Sequence, residues 1–281
     1  MMYWLDGALY PDARAPFDLG DRGLTLGDGV FDTALVLNGR AFLAEAHLAR
    51  LMNALRELGI DADEGSIRQC IGALAAGGER HVLRVTVTRG AGLRGLVPTG
   101  VQKPAIFGAL SPFTPAFFGP PLAIDVAEIR RNETSPTSRL KTLSYLDAIL
   151  AMRRAAARGC NEALFLNGAG RVACASIGNL FALYGDELAT PPLADGALPG
   201  IIRGFLLEQG PALGLHCRER ALTLEEFCAA DAAFMTNSLR LIAPVERIGA
   251  VAIGAKGAKI VEALQDLLRR AIAAECGVEI R

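Results

Sequence analysis

The order of apolar and polar positions lays out much of the chain before any chemistry is considered. Residues 30–37, VFDTALVL, read as a strand; Asn38-Gly39 is a two-residue hairpin signal, and the RAFL that follows supplies the returning strand. Leu48, Leu51, Leu55 and Leu58 recur at the spacing of one helix face across 44–58. In 81–89, Leu83, Val85 and Val87 alternate with Arg84, Thr86 and Thr88, the pattern of a half-buried strand. Proline and glycine then gather in GALSPFTPAFFGPP, 108–121, which reads as a connection.

Beyond it, LAIDVAEI reads as a strand, 144–157 as a helix ended near Gly159, and EALFLNGAGRVACAS as a hairpin around the Asn167 to Gly170 turn. Strand signal continues in NLFALYGDELAT, followed by a helix from about 203 to 209, a strand at AAFMT and a last helix from about 256 to 274. The expected class is α+β, with a smaller N-terminal α+β domain at 1–112, a linker at 113–121 and a larger, strand-rich domain at 122–281.

The chain has 281 residues, 51% hydrophobic and 21% charged, which marks a packed globular protein. A net charge of -1 provides no basic footprint, so a small molecule is a better partner than nucleic acid. The opening MMYWLDGALYPDARAPF has neither the basic start nor the apolar core of a signal peptide, and no apolar run is long enough to span a bilayer. A cytoplasmic protein without membrane contact is expected. Cys70, Cys160, Cys174, Cys217, Cys228 and Cys276 form no CxxC pair, and His47, His81 and His216 form no cluster, so neither a metal site nor disulfides are expected.

SRLKTLSYLDAIL, 138–150, sets one lysine ahead of an amphipathic helix, with Ser144 and Asp147 spaced as in a capping box. A helix start carries partial positive charge, which disfavours the ammonium form and favours the nucleophilic amine that Schiff-base lysines need. From this stretch alone, an ordinary solvated loop lysine is the plain alternative.

Four further stretches bear on that choice: LTLGDGVFDTALV, HLARL, RVACASIGNLFALYGDELATPPLADGALPGIIRG at 171–204, and AAFMTNSLRLIAPV ending at 245. Together they resemble the class IV aminotransferases, fold type IV enzymes that use pyridoxal 5′-phosphate, with motifs in the family order from Gly20 to about Val245. The resemblance implies a two-domain architecture in which Lys141 is the Schiff-base lysine and Arg50 grips the cofactor phosphate. It implies that Gly200, Ile201 and Ile202 receive the phosphate on backbone N–H groups, and that Asn237 and Ser238 form a second phosphate loop. Family members often have threonine where Ile202 stands, so the amide alone serves there. Tyr145 matches a residue that reaches the cofactor's phenolic oxygen, and Asn179 ends the motif that borders the pyridine ring.

Cys174 departs from the pattern. Five residues before Asn179, the family normally has a glutamate paired with the pyridine nitrogen. A carboxylate of reference pKa ~4.3 keeps the ring protonated, whereas a thiol of reference pKa ~8.5 stays neutral, so a weaker electron sink is expected. RVTVTRGAGLRG and FMTNSLRLIAPV look most like the family's aminodeoxychorismate lyases, which make 4-aminobenzoate and pyruvate. On that likeness Thr33 is a candidate proton-handling group, Phe31 a substrate contact, and Arg89 and Arg94 anchors for substrate carboxylates. The alternatives are a transaminase for D-amino or branched-chain amino acids, and a non-catalytic protein that binds the cofactor. The resemblance also implies a homodimer acting on a small-molecule amino substrate.

Overall fold

The computed structural model describes residues 1–93 and 95–280. Helices and strands are mixed, as the α+β expectation has it, in two compact units. The first comprises Met1–Thr114, Leu140–Ser144 and Ile272–Glu279; the second comprises Pro115–Arg139, Tyr145–Ala271 and Ile280–Arg281. The first crossing falls within the expected linker. The chain then returns, so Lys141 belongs to the first unit and not to a continuous domain at 122–281.

In the first unit, strands β1 (Met2–Leu5) and β2 (Ala8–Tyr10) precede a short helix, α1 (Arg22–Leu26). Next come β3 (Gly29–Leu37), β4 (Arg40–Ala41), α2 (Ala44–Glu57), α3 (Glu64–Ala75), β5 (Arg80–Thr88) and β6 (Ala105–Pro112). The six strands form one sheet in the order β2-β1-β6-β5-β3-β4. The β1–β2 turn is Asp6-Gly7, both at positive φ, a hairpin signal the sequence reading passed over. Val30, Ala34 and Val36 of β3 join Leu83, Val85 and Val87 of β5 in a core closed by Leu48, Leu51 and Leu55 of α2 and Ile67, Cys70 and Leu74 of α3.

Residues 105–112 correct the linker reading, since β6 lies inside the sheet, paired to both β1 and β5. Pro112 is tolerated because it ends the strand. Gly108 is there for space: a Cβ would stand 2.5 Å from Leu74 Cδ1 and 2.7 Å from Cys70 Sγ, so α3 packs directly on the bare backbone.

The second unit contains β7 (Leu122–Val126), α4 (Leu146–Ala157), β8 (Glu162–Leu166), β9 (Val172–Ala175), β10 (Asn179–Tyr184) and β11 (Glu187–Thr190). It continues through α5 (Ile201–Gln209), β12 (His216–Glu219), α6 (Leu224–Cys228), β13 (Ala232–Asn237), β14 (Leu241–Ile248) and β15 (Val251–Ala252) into α7 (Ala258–Cys276), whose last turn belongs to the first unit. Its sheet runs β12-β11-β10-β13-β14-β7-β8-β9, with β15 beside β14. The β8–β9 hairpin falls where the turn signal at 167–170 puts it, and the continuing strand signal at 179–190 folds into a second hairpin, β10–β11.

Substituting Gly108→Val should lower stability by about 1–3 kcal/mol through overpacking under α3, read as a lower denaturation midpoint with an unchanged m-value.

Candidate active site

In the first unit, the alternation of β3 sorts its residues by face. Val30, Ala34 and Val36 enter the core under the helices, and Asp32 shares their parity. Phe31 and Thr33 take the opposite face, paired in register with Thr86 and Arg84 of β5. The Arg84 guanidinium carbon lies 3.5 Å from the Phe31 ring centroid, and Lys141 Nζ lies 4.5 Å from it.

Lys141 is delivered by strand-like pairing. Phe31 N–H donates to Lys141 O at 2.9 Å, Leu143 N–H donates to Gly29 O at 3.2 Å, and Val30 bridges Thr142. Gly29 permits the approach, because a Cβ there would stand 2.6 Å from Val87 O and 3.0 Å from Leu143 Cδ1. The proposed capping box is absent: α4 starts at Leu146 with Tyr145 at the N-cap and no side-chain cap. The lysine therefore owes its place to the edge of β3.

Beneath this face, Asp32 meets two residues of α2. Arg50 donates to it from Nε and Nη2, each at 2.8 Å, and His47 Nδ1 lies 2.6 Å from Oδ1. Burial pushes the Asp32 carboxyl up, but Arg50 and then His47 outweigh it and hold the group well below the usual carboxylate range.

In the second unit, Asn179 opens β10 directly opposite Thr236 of β13. Its Nδ2 donates to Leu198 O at 2.8 Å. Its Oδ1 occupies the space where a Cβ on Gly200 would be, 2.0 Å away, so only glycine fits at this N-cap. No side chain caps α5. Its first-turn amides, those of Ile201 and Ile202 among them, have the open geometry that receives an anion. The Ile202 side chain is buried in the core, consistent with an amide-only contribution. The buried Thr236 hydroxyl has no partner, an orphan polar atom beside Asn179. Asn237 Oδ1 accepts from the N–H groups of Leu239 and Arg240, shaping the turn that carries Ser238.

Cys174 is buried on β9 opposite Phe165 of β8. Burial pushes its thiol above the ordinary range; the Arg131 charge opposes the shift and the Glu162 carboxylate adds to it. The wholly buried Glu162 accepts from Ser176 N–H at 3.0 Å and from the Ser176 hydroxyl, pinning the turn after Cys174. Tyr145 lines an apolar groove of about 390 Å³ with Ile149, Met152, Ser176 and Ile177.

A family model described as Amino-transferase class IV matches residues 29–248. The chain belongs to this family. It is 30% identical to the aminodeoxychorismate lyase of Bacillus subtilis over 278 residues, 96% of this chain and 94% of that one. The solved structure of 4-amino-4-deoxychorismate lyase from Pseudomonas aeruginosa matches with a TM-score of 0.85 at 32% identity, covering 95% of this chain and 98% of that one. A branched-chain aminotransferase from Thermoproteus uzoniensis also matches with a TM-score of 0.85, at 28% identity, covering 95% of this chain and 94% of that one. The architecture is fold type IV, and the protein is an enzyme of a family dependent on pyridoxal 5′-phosphate.

Among class IV residues expected from sequence, the first unit brings Phe31, Thr33 and Lys141 to one region, and the second brings Asn179 and Gly200 together at the start of α5. Arg89 is a correction. Its Nε donates to Asp28 at 2.8 Å, and its two terminal nitrogens donate to Gly59 O at 2.8 Å and Leu58 O at 2.7 Å. The guanidinium ties the end of α2 to Asp28, which Arg22 also contacts at 2.8 Å, and so serves the fold. Arg94 lies outside the described residues. Sequence reasoning missed Asp32 and Arg84. An aspartate at a core-facing strand position demands a buried partner, and His47-x-x-Arg50 supplies two on one helix face; Arg84 shares the face of Thr33 by register alone.

Arg89→Ala should cost about 2–4 kcal/mol of stability by leaving Asp28 and two helix-end carbonyls short of donors, with KM for the amino substrate little changed. Chemical denaturation beside steady-state kinetics checks this; a large rise in KM at unaltered stability would restore a substrate role.

Proposed function

We propose that the enzyme is a lyase that converts 4-amino-4-deoxychorismate, or a close relative, into 4-aminobenzoate and pyruvate. The residues fit the cofactor: a helix start without a side-chain cap, a glycine cradle and an orphan hydroxyl stand at α5, and a buried-side arginine and a lysine stand along β3. Pyridoxal phosphate, when bound, supplies an electron sink for the carbon bearing the substrate amine. Lys141 would hold the cofactor through its amine and, with substrate bound, would serve as the base that takes the proton from that carbon. Thr33 lies on the same strand face as Phe31, and we assign it to handling the transferred proton or to positioning the substrate, whose leaving enolpyruvyl ether oxygen can accept from its hydroxyl. Arg84, paired with Thr33 and stacked on Phe31, replaces Arg89 as the anchor for a substrate carboxylate.

The observation that favours elimination over transamination is Cys174. A buried neutral thiol, where a carboxylate would hold the ring nitrogen protonated, weakens the sink, and a reaction driven by forming an aromatic ring tolerates that loss. The full-length likeness to two aminodeoxychorismate lyases supports the same reading. A second copy of the chain is the partner we propose for α4, which leaves Leu146, Ile149 and Leu150 exposed together. No helix among the described residues is long and apolar enough to cross a membrane.

Purified enzyme offered 4-amino-4-deoxychorismate and, separately, D- and L-amino acids with 2-oxo acids should release pyruvate and 4-aminobenzoate from the first. Borohydride should fix pyridoxal phosphate onto Lys141, seen by mass spectrometry, and Lys141→Ala should abolish both adduct and turnover. Rapid transamination without pyruvate release would reverse the assignment. Cys174→Glu should raise transamination relative to pyruvate release; an unmoved product ratio removes any electronic role for the thiol.

A further inference from the structure

The Asp32 carboxylate is saturated with donors. Its Oδ1 accepts from Thr33 N–H at 2.7 Å, from Arg50 Nη2 at 2.8 Å and from His47 Nδ1 at 2.6 Å, and its Oδ2 accepts from Arg50 Nε at 2.8 Å. An ionised carboxylate only accepts, so the His47 proton resides on Nδ1. Three elements of contact thus fix the carboxylate: its own strand, and two residues one turn apart on α2.

We propose that Asp32, braced by His47, is a positioning residue that sets the plane of the Arg50 guanidinium for a phosphate monoester. The inference rests on the reading that the protein binds pyridoxal phosphate through Arg50. A guanidinium is planar, so two parallel bonds along the Nε–Nη2 edge orient the whole group. A long arginine side chain loses rotamer entropy when it is ordered, and a carboxylate that immobilises it beforehand removes that cost from phosphate binding. His47 keeps the carboxylate from turning with the arginine. The placement also serves the lysine: β3 carries Asp32 on its core face and Phe31, the ring beside Lys141 Nζ, on the other, so clamp and nucleophile hang on one strand.

A merely structural ion pair would affect the fold without distinguishing ligands by their phosphate. Apoprotein should therefore be titrated with pyridoxal 5′-phosphate and with pyridoxal, which lacks the phosphate, using the visible absorbance of the Lys141 adduct. Asp32→Asn should weaken pyridoxal phosphate about tenfold and leave pyridoxal within about twofold. Arg50→Ala should show the same selectivity, and the double variant should be no weaker than Arg50→Ala alone, because Asp32 acts through the arginine. Equal weakening of both aldehydes, or additive losses in the double variant, overturns the proposal. If circular dichroism shows Asp32→Asn to be unfolded, His47→Asn decides in the same cycle: a phosphate-selective loss absent from the Arg50→Ala background upholds the clamp, and no selective loss overturns it. Wild-type protein that binds neither aldehyde overturns the cofactor reading itself, whereas binding of both with additive variants overturns only the positioning role.

Discussion

A charged carboxylate held in an apolar core is the constraint around which the first unit is arranged. Asp32 sits among Val30, Ala34 and Val36 on the helix side of β3, where an unpaired charge would be intolerable. The guanidinium and imidazole that satisfy it both come from α2, so the position and rotation of that helix follow from the pairing. Because the folded carboxyl titrates below the unfolded value of about 3.9, its contribution is present at neutral pH and is lost as the solution is acidified beyond that range. Once Asp32 faces inward, alternation sends Phe31 and Thr33 outward, and the chain at 141–143 finds its hydrogen-bonding partners along 29–31. Buried electrostatics on one face thereby determine which chemistry stands on the other.

The anion site proposed for the second unit rests on a different device. At α5 the donors are backbone amides, and the side chains keep clear: Gly200 has no Cβ, Ile202 is turned into the core, and Asn179 spends its amide on Leu198 O. Such a site needs no cation and excludes little, so it depends on the shape of the strand ends at Asn179 and Thr236. In the proposed function Cys174, five residues before Asn179, is the one position that alters the reaction while the scaffold stays. A thiol fits a small buried space on β9, and its neutrality removes the charge that a carboxylate would bring.

The helix at 44–57 and the strands at 29–37 and 80–88 were legible because their signal is local: a period of 3.6 or 2 is written in consecutive residues. The stretch at 105–112 was not, since its membership of the sheet depends on β1 and β5, about 100 and 20 residues away, and its glycine and proline read locally as a break. The helix at 64–75 was missed, although Asp63 caps it by accepting from Ser66 N–H at 2.7 Å. Among the candidate site residues, those set by contiguous motifs, such as Asn179 with its neighbours and Gly200 through Ile202, could be named from the chain alone. The arginines could not: Arg84 lies in β5 and Arg89 just past its end, five residues on, and only the tertiary contacts show that the first stands on Phe31 while the second ties down the end of α2.

The sequence by itself determined the family, the candidate for its reactive lysine and the presence of cysteine at 174, because residue type and spacing are properties of the chain. Tertiary structure decided which element presents that lysine, which arginine stacks on Phe31 and which acid holds Arg50. Those are contacts between residues distant in sequence, and their free energy depends on burial and geometry that no local pattern records.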